Sequence, residues 1–256
     1  MKQRALLLIF LINLSLSTFA FGPVGHQIVA DIAYNNLKRS TKKKVDNLLG
    51  KRGIIYTSSW ADEIKSNEKY EYSYDWHFQN LRADMTRDEL QHLYNNPGLE
   101  GDFLFFALDS LSNVLKKDKN NDEALKFIVH FLGDVHQPLH MGSLENRGGK
   151  DILVKWFGRD IRLHQLWDTQ ILESQRFSYS EYSQYLQDKF GKRKNEFKKQ
   201  SLFDSVWETY LLQLQIYDYN YEDLNPYDYQ YHFGDDIDEQ LFRAGIQLAN
   251  LLNRIM

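Results

Sequence analysis

Along most of this chain apolar residues return every three or four positions, the spacing that lines one face of an α-helix. Ile28, Val29, Ile32, Ala33 and Leu37 form the first such stripe, and Pro23 and Gly25 ahead of it predict an irregular lead-in. Residues 101–117 predict a helix with Phe103, Phe106, Ala107, Ser110, Leu111 and Val114 on one face. Another helix starts at Asn121 or Asp122 and carries Leu125, Ile128 and Val129 forward. In the C-terminal third the pattern predicts helices over 181–199, 201–217 and 236–255, with a tyrosine-rich loop from Tyr217 to Phe233. β-Prone runs are confined to Asp151–Phe157 and Ile161–His164, where Gly158-Arg159-Asp160 marks a hairpin turn. No repeat, linker or low-complexity tract interrupts the sequence. The expectation is one mainly α, multi-helix domain with a small β-hairpin.

Composition changes this picture in two places. The 256 residues suffice for one sizeable core. Cysteine is absent, which excludes disulfides, thiolate metal sites and cysteine nucleophiles; a metal here must be held by nitrogen and oxygen. The start has the form of an export signal: a basic Met1-Lys2-Gln3-Arg4, an apolar run from Ala5 to Leu16, and small residues at Thr18 and Ala20 before a cleavage point. Residues 1–20 are therefore expected to be a signal peptide and residues 21–256 the functional domain, exported to the periplasm or beyond. The apolar run is too short to span a bilayer. The formal charge is −4, and loss of Lys2 and Arg4 makes it more negative. A chain this acidic does not wrap duplex DNA by counterion release; any nucleic acid must be handled at a local site. The basic run Lys38, Arg39, Lys42, Lys43 and Lys44 reads as a solvated helix face.

The candidate chemistry is concentrated in His130-Phe-Leu-Gly-Asp134-Val-His136-Gln-Pro138-Leu-His140. His130 and Asp134 sit four apart and share a helix face. Pro138 should end or kink that helix, and His140, about 80° from His130 on an ideal helix, would then come alongside. His136 falls about 120° away and should stand apart. A core helix with hydrogen-bonded packing histidines is the competing reading, but three imidazoles and a carboxylate on one short stretch favour metal. Elsewhere His26, Asp62 at a helix start after Ser58-Ser59, His77 between aromatic residues, and the His164/Asp168 pair are each weak alone. Together these side chains are too many for one zinc ion and enough for a cluster. A newly cut N-terminus adds an α-amine, with a pKa of about 7.7–8.0, and a carbonyl that can close a chelate.

The segments Phe21-Gly-Pro-Val-Gly-His26, Trp60-Ala-Asp62, His77-Phe78, His130 to His140, Gly148-Gly149 and Leu163-His164-Gln-Leu-Trp-Asp168 resemble, in order, the three-zinc single-strand-specific nucleases of fungi and plants, also called 3′-nucleotidases. That resemblance implies a mostly α fold shared with bacterial zinc phospholipases C. It implies Zn²⁺ (three ions): one on Asp62, His77, His130 and Asp134, a second on His140, His164 and Asp168, and a third on the Phe21 amine and carbonyl, His26 and Asp134. His136 is not a ligand in that scheme. The implied activity is hydrolysis of single-stranded DNA and RNA to 5′-phosphorylated products and removal of phosphate from 3′-nucleotides. Asp134 would act in catalysis as well as bridging metals. Read from the residues themselves, Lys65, one turn after Asp62, is either a contact to a phosphate oxygen or an ordinary exposed lysine, and Phe78 either stacks a base whose edge Asn80 contacts or packs in the core. The expected form is a monomer without membrane attachment after signal cleavage.

This chain departs from the family pattern at three positions: Phe21 stands for the usual Trp, Lys150 for an Asn after the Gly-Gly pair, and Arg162 for an Asn before Leu163-His164. It also lacks the cysteines from which fungal and plant members form disulfides. A zinc phospholipase C on the same scaffold is the nearest alternative, although Asp168 and Phe78 favour the nuclease. A zinc-storing or adhesive exported protein without turnover is a more distant one.

Overall fold

The computed structural model describes residues 21–256; the expected signal peptide, residues 1–20, lies outside them. Helices α1 (Gly22–Asn36) and α2 (Arg39–Leu49) are followed by two single turns, α3 (Gly53–Tyr56) and α4 (Trp60–Glu63). A 3₁₀ segment, Glu68–His77, leads to α5 (Arg87–Asn95), α6 (Leu104–Lys117) and α7 (Asp122–Asp134). Two 3₁₀ turns, Pro138–Met141 and Leu144–Asn146, come before an antiparallel pair, β1 (Leu153–Trp156) and β2 (Arg159–Arg162). Next are α8 (Leu163–Gln165), a π turn over Leu166–Gln170, and α9 (Ile171–Ser174). Four helices finish the chain: α10 (Tyr179–Phe190), α11 (Lys194–Lys199), α12 (Leu202–Asp218) and α13 (Pro226–Ile255). The architecture is mainly α, as the periodicity predicts.

The core forms where α1 is enclosed by α13, α10, α3 and α7. Ile28, Val29, Ile32 and Ala33 of α1 are fully buried. Gly245 of α13 lets the two longest contact faces close: a Cβ there would lie 2.5 Å from Ile32 Cβ. Helix α7 is buried along nearly its whole length, which is why its apolar residues surround it rather than forming a stripe. Its start is set by Asn121, whose side chain accepts the Ala124 N–H at 2.8 Å, with Asp122 and Glu123 in the first turn. No described helix is long and apolar enough to cross a membrane.

Four local expectations are corrected. Pro23 lies in the first turn of α1, so the expected irregular lead-in is already helix. In α6 the buried face is Leu104, Ala107, Leu108, Leu111 and Leu115, whereas Val114 is exposed and Phe106 turns to meet Trp76. The hairpin turns at Phe157-Gly158, both with positive φ, and Arg159 and Asp160 pair in β2. The tyrosine-rich segment is loop only between α12 and α13, over residues 219–225. Asn225 caps α13, and Tyr229 and Phe233, four apart, are buried on its inner face. Aromatic residues dispersed among exposed Tyr227 and Tyr231 hid that period.

Candidate metal centre

Helix α7 delivers His130 and Asp134 from one face and then ends. Gln137 opens the following 3₁₀ turn by accepting the Leu139 N–H at 2.5 Å, and Pro138 occupies its first position. The turn swings His140 back until its Nδ1 is 3.9 Å from Asp134 Oδ1. A second strand of chain is fixed to it. The Gln79 N–H donates to the His140 carbonyl at 2.8 Å, and His140 Nδ1 bonds the His77 carbonyl at 2.6 Å. His77 is thereby held opposite α7.

Three buried groups of donors result: Asp62, His77 and His130; His26, His130 and Asp134; and His140, His164 and Asp168, with donor atoms within 4.8 Å of one another in each. His130 Nε2 lies 3.6 Å from Asp62 Oδ1 and 3.2 Å from His77 Nδ1. His164 Nε2 is 3.2 Å from Asp168 Oδ2, and His140 Nε2 is 3.6 Å from Asp168 Oδ1. The two oxygens of Asp134 face different neighbours. Oδ2 is 3.2 Å from His77 Nδ1 and 3.4 Å from His130 Nε2, whereas Oδ1 is 3.4 Å from His26 Nε2.

Main-chain carbonyls orient the rings. Nδ1 of His130 bonds Ser58 O at 2.8 Å, and Nδ1 of His164 bonds Gly148 O at 2.7 Å. With Nδ1–H so engaged, Nε2 is the lone-pair nitrogen turned inward. Burial lowers His26, His140 and His164 to about 4 and pushes His77 and His130 well below the usual imidazole range. Burial likewise raises Asp134 well above the usual carboxylate range and raises Asp62 and Asp168. Both oxygens of Asp134, both ring nitrogens of His26, Asp168 Oδ2 and His140 Nε2 are buried without a hydrogen bond. Buried polar atoms without partners are costly. Neutral imidazoles and carboxylates converging in this way suit cations of the zinc class, so the donor set fits the expected metal.

The sequence pattern of the S1/P1 nuclease family matches residues 21–256. The chain belongs to this family. Among curated S1/P1 relatives, Nuclease S1 of Aspergillus oryzae is 34% identical over 169 residues, which are 64% of this chain and 58% of that protein. Endonuclease 4 of Arabidopsis thaliana is 32% identical over 189 residues, 69% of this chain and 62% of the relative. Nuclease P1 of Penicillium citrinum is 29% identical over 160 residues, 58% and 57% of the two chains. The chain thus spans about three fifths of the length of the relatives it matches.

In this S1/P1 family member the fold brings His26, Asp62, His77, His130, Asp134, His140, His164 and Asp168 into one buried region. His136 stands outside the three groups: its Nδ1 bonds the Leu132 carbonyl at 2.8 Å. The Phe21 side chain is fully buried, and its neighbour Gly22 lies so close to Asp168 that a Cβ would be 3.0 Å from the Asp168 carbonyl oxygen. Lys65 Nζ pairs with Asp62 Oδ1 at 2.5 Å. Phe78 and Asn80 are half-buried just beyond His77, with Phe103 against Phe78. A cavity of about 810 Å³ bordered by Tyr94, Phe203 and Arg254 contains none of these residues; donor chemistry, not cavity size, marks the site.

Two residues were missed by sequence reasoning. Gln137 donates from its side-chain amide to Asp168 Oδ1 while holding the Leu139 N–H. Gly133 is the second, a glycine inside α7 one residue before Asp134. A Cβ on Gly133 would lie 2.7 Å from His26 Nδ1, and His26 stacks on His130 with ring centroids 3.8 Å apart. A glycine inside an apolar helix is the available signal for such an approach. Gly133→Ala should therefore displace His26, cost about 1–3 kcal/mol by overpacking and lower bound zinc by one equivalent. Elemental analysis with thermal unfolding checks this; unchanged metal content would place His26 outside the cluster.

Proposed function

We propose that this chain is a zinc-dependent phosphoesterase that hydrolyses single-stranded DNA and RNA to 5′-phosphorylated products and dephosphorylates 3′-nucleotides. The observation that carries this reading is Asp134, whose two buried oxygens face separate donor groups in a member of a nuclease family. Asp62, His77, His130 and Asp134 would hold one zinc, and His140, His164 and Asp168 a second. The Phe21 amine and carbonyl, His26 and Asp134 would hold the third. When bound, zinc supplies Lewis-acid charge for the phosphoryl oxygens and a water of lowered pKa.

The chain's own groups do the rest. Asp134 orients the attacking water and accepts a hydrogen bond from it. Lys65, poised at Asp62, donates to a non-bridging phosphate oxygen. Phe78 stacks an unpaired base, and Asn80 hydrogen-bonds its edge. A base held in a duplex cannot present its face to Phe78, so stacking selects single strands without a basic groove. Residues 1–20 direct export as a cleaved signal, leaving a monomer in the periplasm or outside the cell.

Zinc-loaded protein beginning at Phe21 should hydrolyse single-stranded DNA and RNA and leave lecithin intact; hydrolysis of lecithin alone would make it a phospholipase C. Phe78→Ala should raise KM for single-stranded substrates and 3′-nucleotides by about five- to a hundred-fold, with small baseless phosphoesters unaffected. An equal loss on both substrate types would assign Phe78 to packing.

A further inference from the structure

Lys150 is a charged residue beside the cluster that the proposed mechanism leaves without a task. It follows Gly148-Gly149, and both glycines are tied to the site. Gly148 O bonds His164 Nδ1 at 2.7 Å, and Gly149 O accepts the His164 N–H at 3.4 Å. The stem of Lys150 therefore starts from anchored backbone. Its ammonium lies over the Phe78 ring, 5.9 Å from the centroid. It is half-buried, and among the described residues no carboxylate forms an ion pair with it. Desolvation, opposed by the field of Asp168, lowers its pKa from the ordinary lysine value. A half-buried ammonium keeps three N–H donors to satisfy, and a ligand entering the site can supply an acceptor.

The place of that acceptor follows from Phe78. A base in van der Waals contact with the ring would lie about 3.5–4 Å away. An ammonium over that face swings aside when a base stacks there, and its flexible four-carbon stem carries it to the base's rim. Lysine offers three donors and no acceptor. Guanine offers it two acceptors, N7 and O6, and uracil and thymine offer O4; adenine offers N7 alone beside an amino donor, and cytosine an amino donor at the same edge.

We propose that Lys150 reads the edge of the base stacked on Phe78 and makes the site prefer keto over amino bases, guanine over adenine and uracil over cytosine. This rests on the nucleic-acid reading of the site. The preference should be about five- to tenfold, the range of one net hydrogen bond at a half-exposed site.

Calorimetric binding of guanosine and adenosine 5′-monophosphates to zinc-loaded protein tests it, with hydrolysis of the matching 3′-nucleotides measured in parallel. Native protein should bind the guanosine nucleotide more tightly. Lys150→Met, which keeps the stem and removes the charge, should abolish the difference, and Lys150→Arg should keep it. A native protein without the preference, or a Lys150→Met loss equal for both nucleotides, would overturn the proposal and assign the ammonium to phosphate. If no nucleotide binds and no single strand is cut, the proposal falls together with the function it rests on. Cleavage of single strands without base preference removes the proposal alone.

Discussion

Asp134→Asn should reduce hydrolysis of single-stranded DNA by more than a hundredfold, with a larger loss than at any other donor. Even groups that only orient a metal ligand typically matter by about 10–100-fold, and Asp134 presents Oδ2 to His77 and His130 and Oδ1 to His26. Losing one oxygen's charge therefore weakens two donor groups together. Stability should respond differently in the two metal states. In metal-free protein the Asp134 carboxylate is buried, makes no hydrogen bond and is pushed far toward its protonated form. A neutral amide of the same shape relieves that cost, so the metal-free variant should melt no lower than the native metal-free chain. Added zinc should then raise the melting temperature of the native chain far more than that of the variant, because a cation stabilises only the state that binds it. Near-normal turnover in Asp134→Asn would remove the bridge from the account.

A single residue added before Phe21 should have the second-largest effect. A main-chain amine can bind zinc only when it is free and unprotonated; one preceding residue converts it to an amide. Phe21 is fully buried, and the adjoining Gly22 abuts the Asp168 backbone, which places the start of the domain beside the cluster. Protein starting Met-Phe21 should stay folded, lose one zinc equivalent and turn over about ten- to a hundredfold more slowly. Phe21→Trp should keep the same zinc content, since both residues offer the same amine and carbonyl, although the larger ring in a fully buried position costs about 1–3 kcal/mol of stability. Equal rates and metal content for the two starts would leave at most a two-metal centre.

Sequence spacing carried the site further than it carried the fold's details. His130 and Asp134 declare themselves because a four-residue separation on a helix is a statement about geometry. His140 follows because Pro138 cannot continue the helix, and the observed 3₁₀ turn is the result. The long-range partners His26, Asp62 and His77 had no such local signal, and the isolated His164/Asp168 pair was weak alone; they emerged only as a combined pattern. The ring orientations of His130, His140 and His164 depend on the main-chain carbonyls of Ser58, His77 and Gly148, which side-chain patterns do not announce. The α6 stripe was misplaced because Phe103 precedes the helix and large aromatics there pack on Trp76 and Phe78 instead of the main core. The first two turns of α13 were read as loop because exposed tyrosines alternate with buried ones, and the cap at Asn225 outweighs composition.

Zinc content of the protein beginning at Phe21, measured by elemental analysis after gentle purification, tests the central claim most directly. The three donor groups predict close to three zinc ions per chain, removed by chelator together with cleavage of single-stranded DNA and restored with it. One ion or none, or full cleavage after complete removal of zinc, would contradict the account.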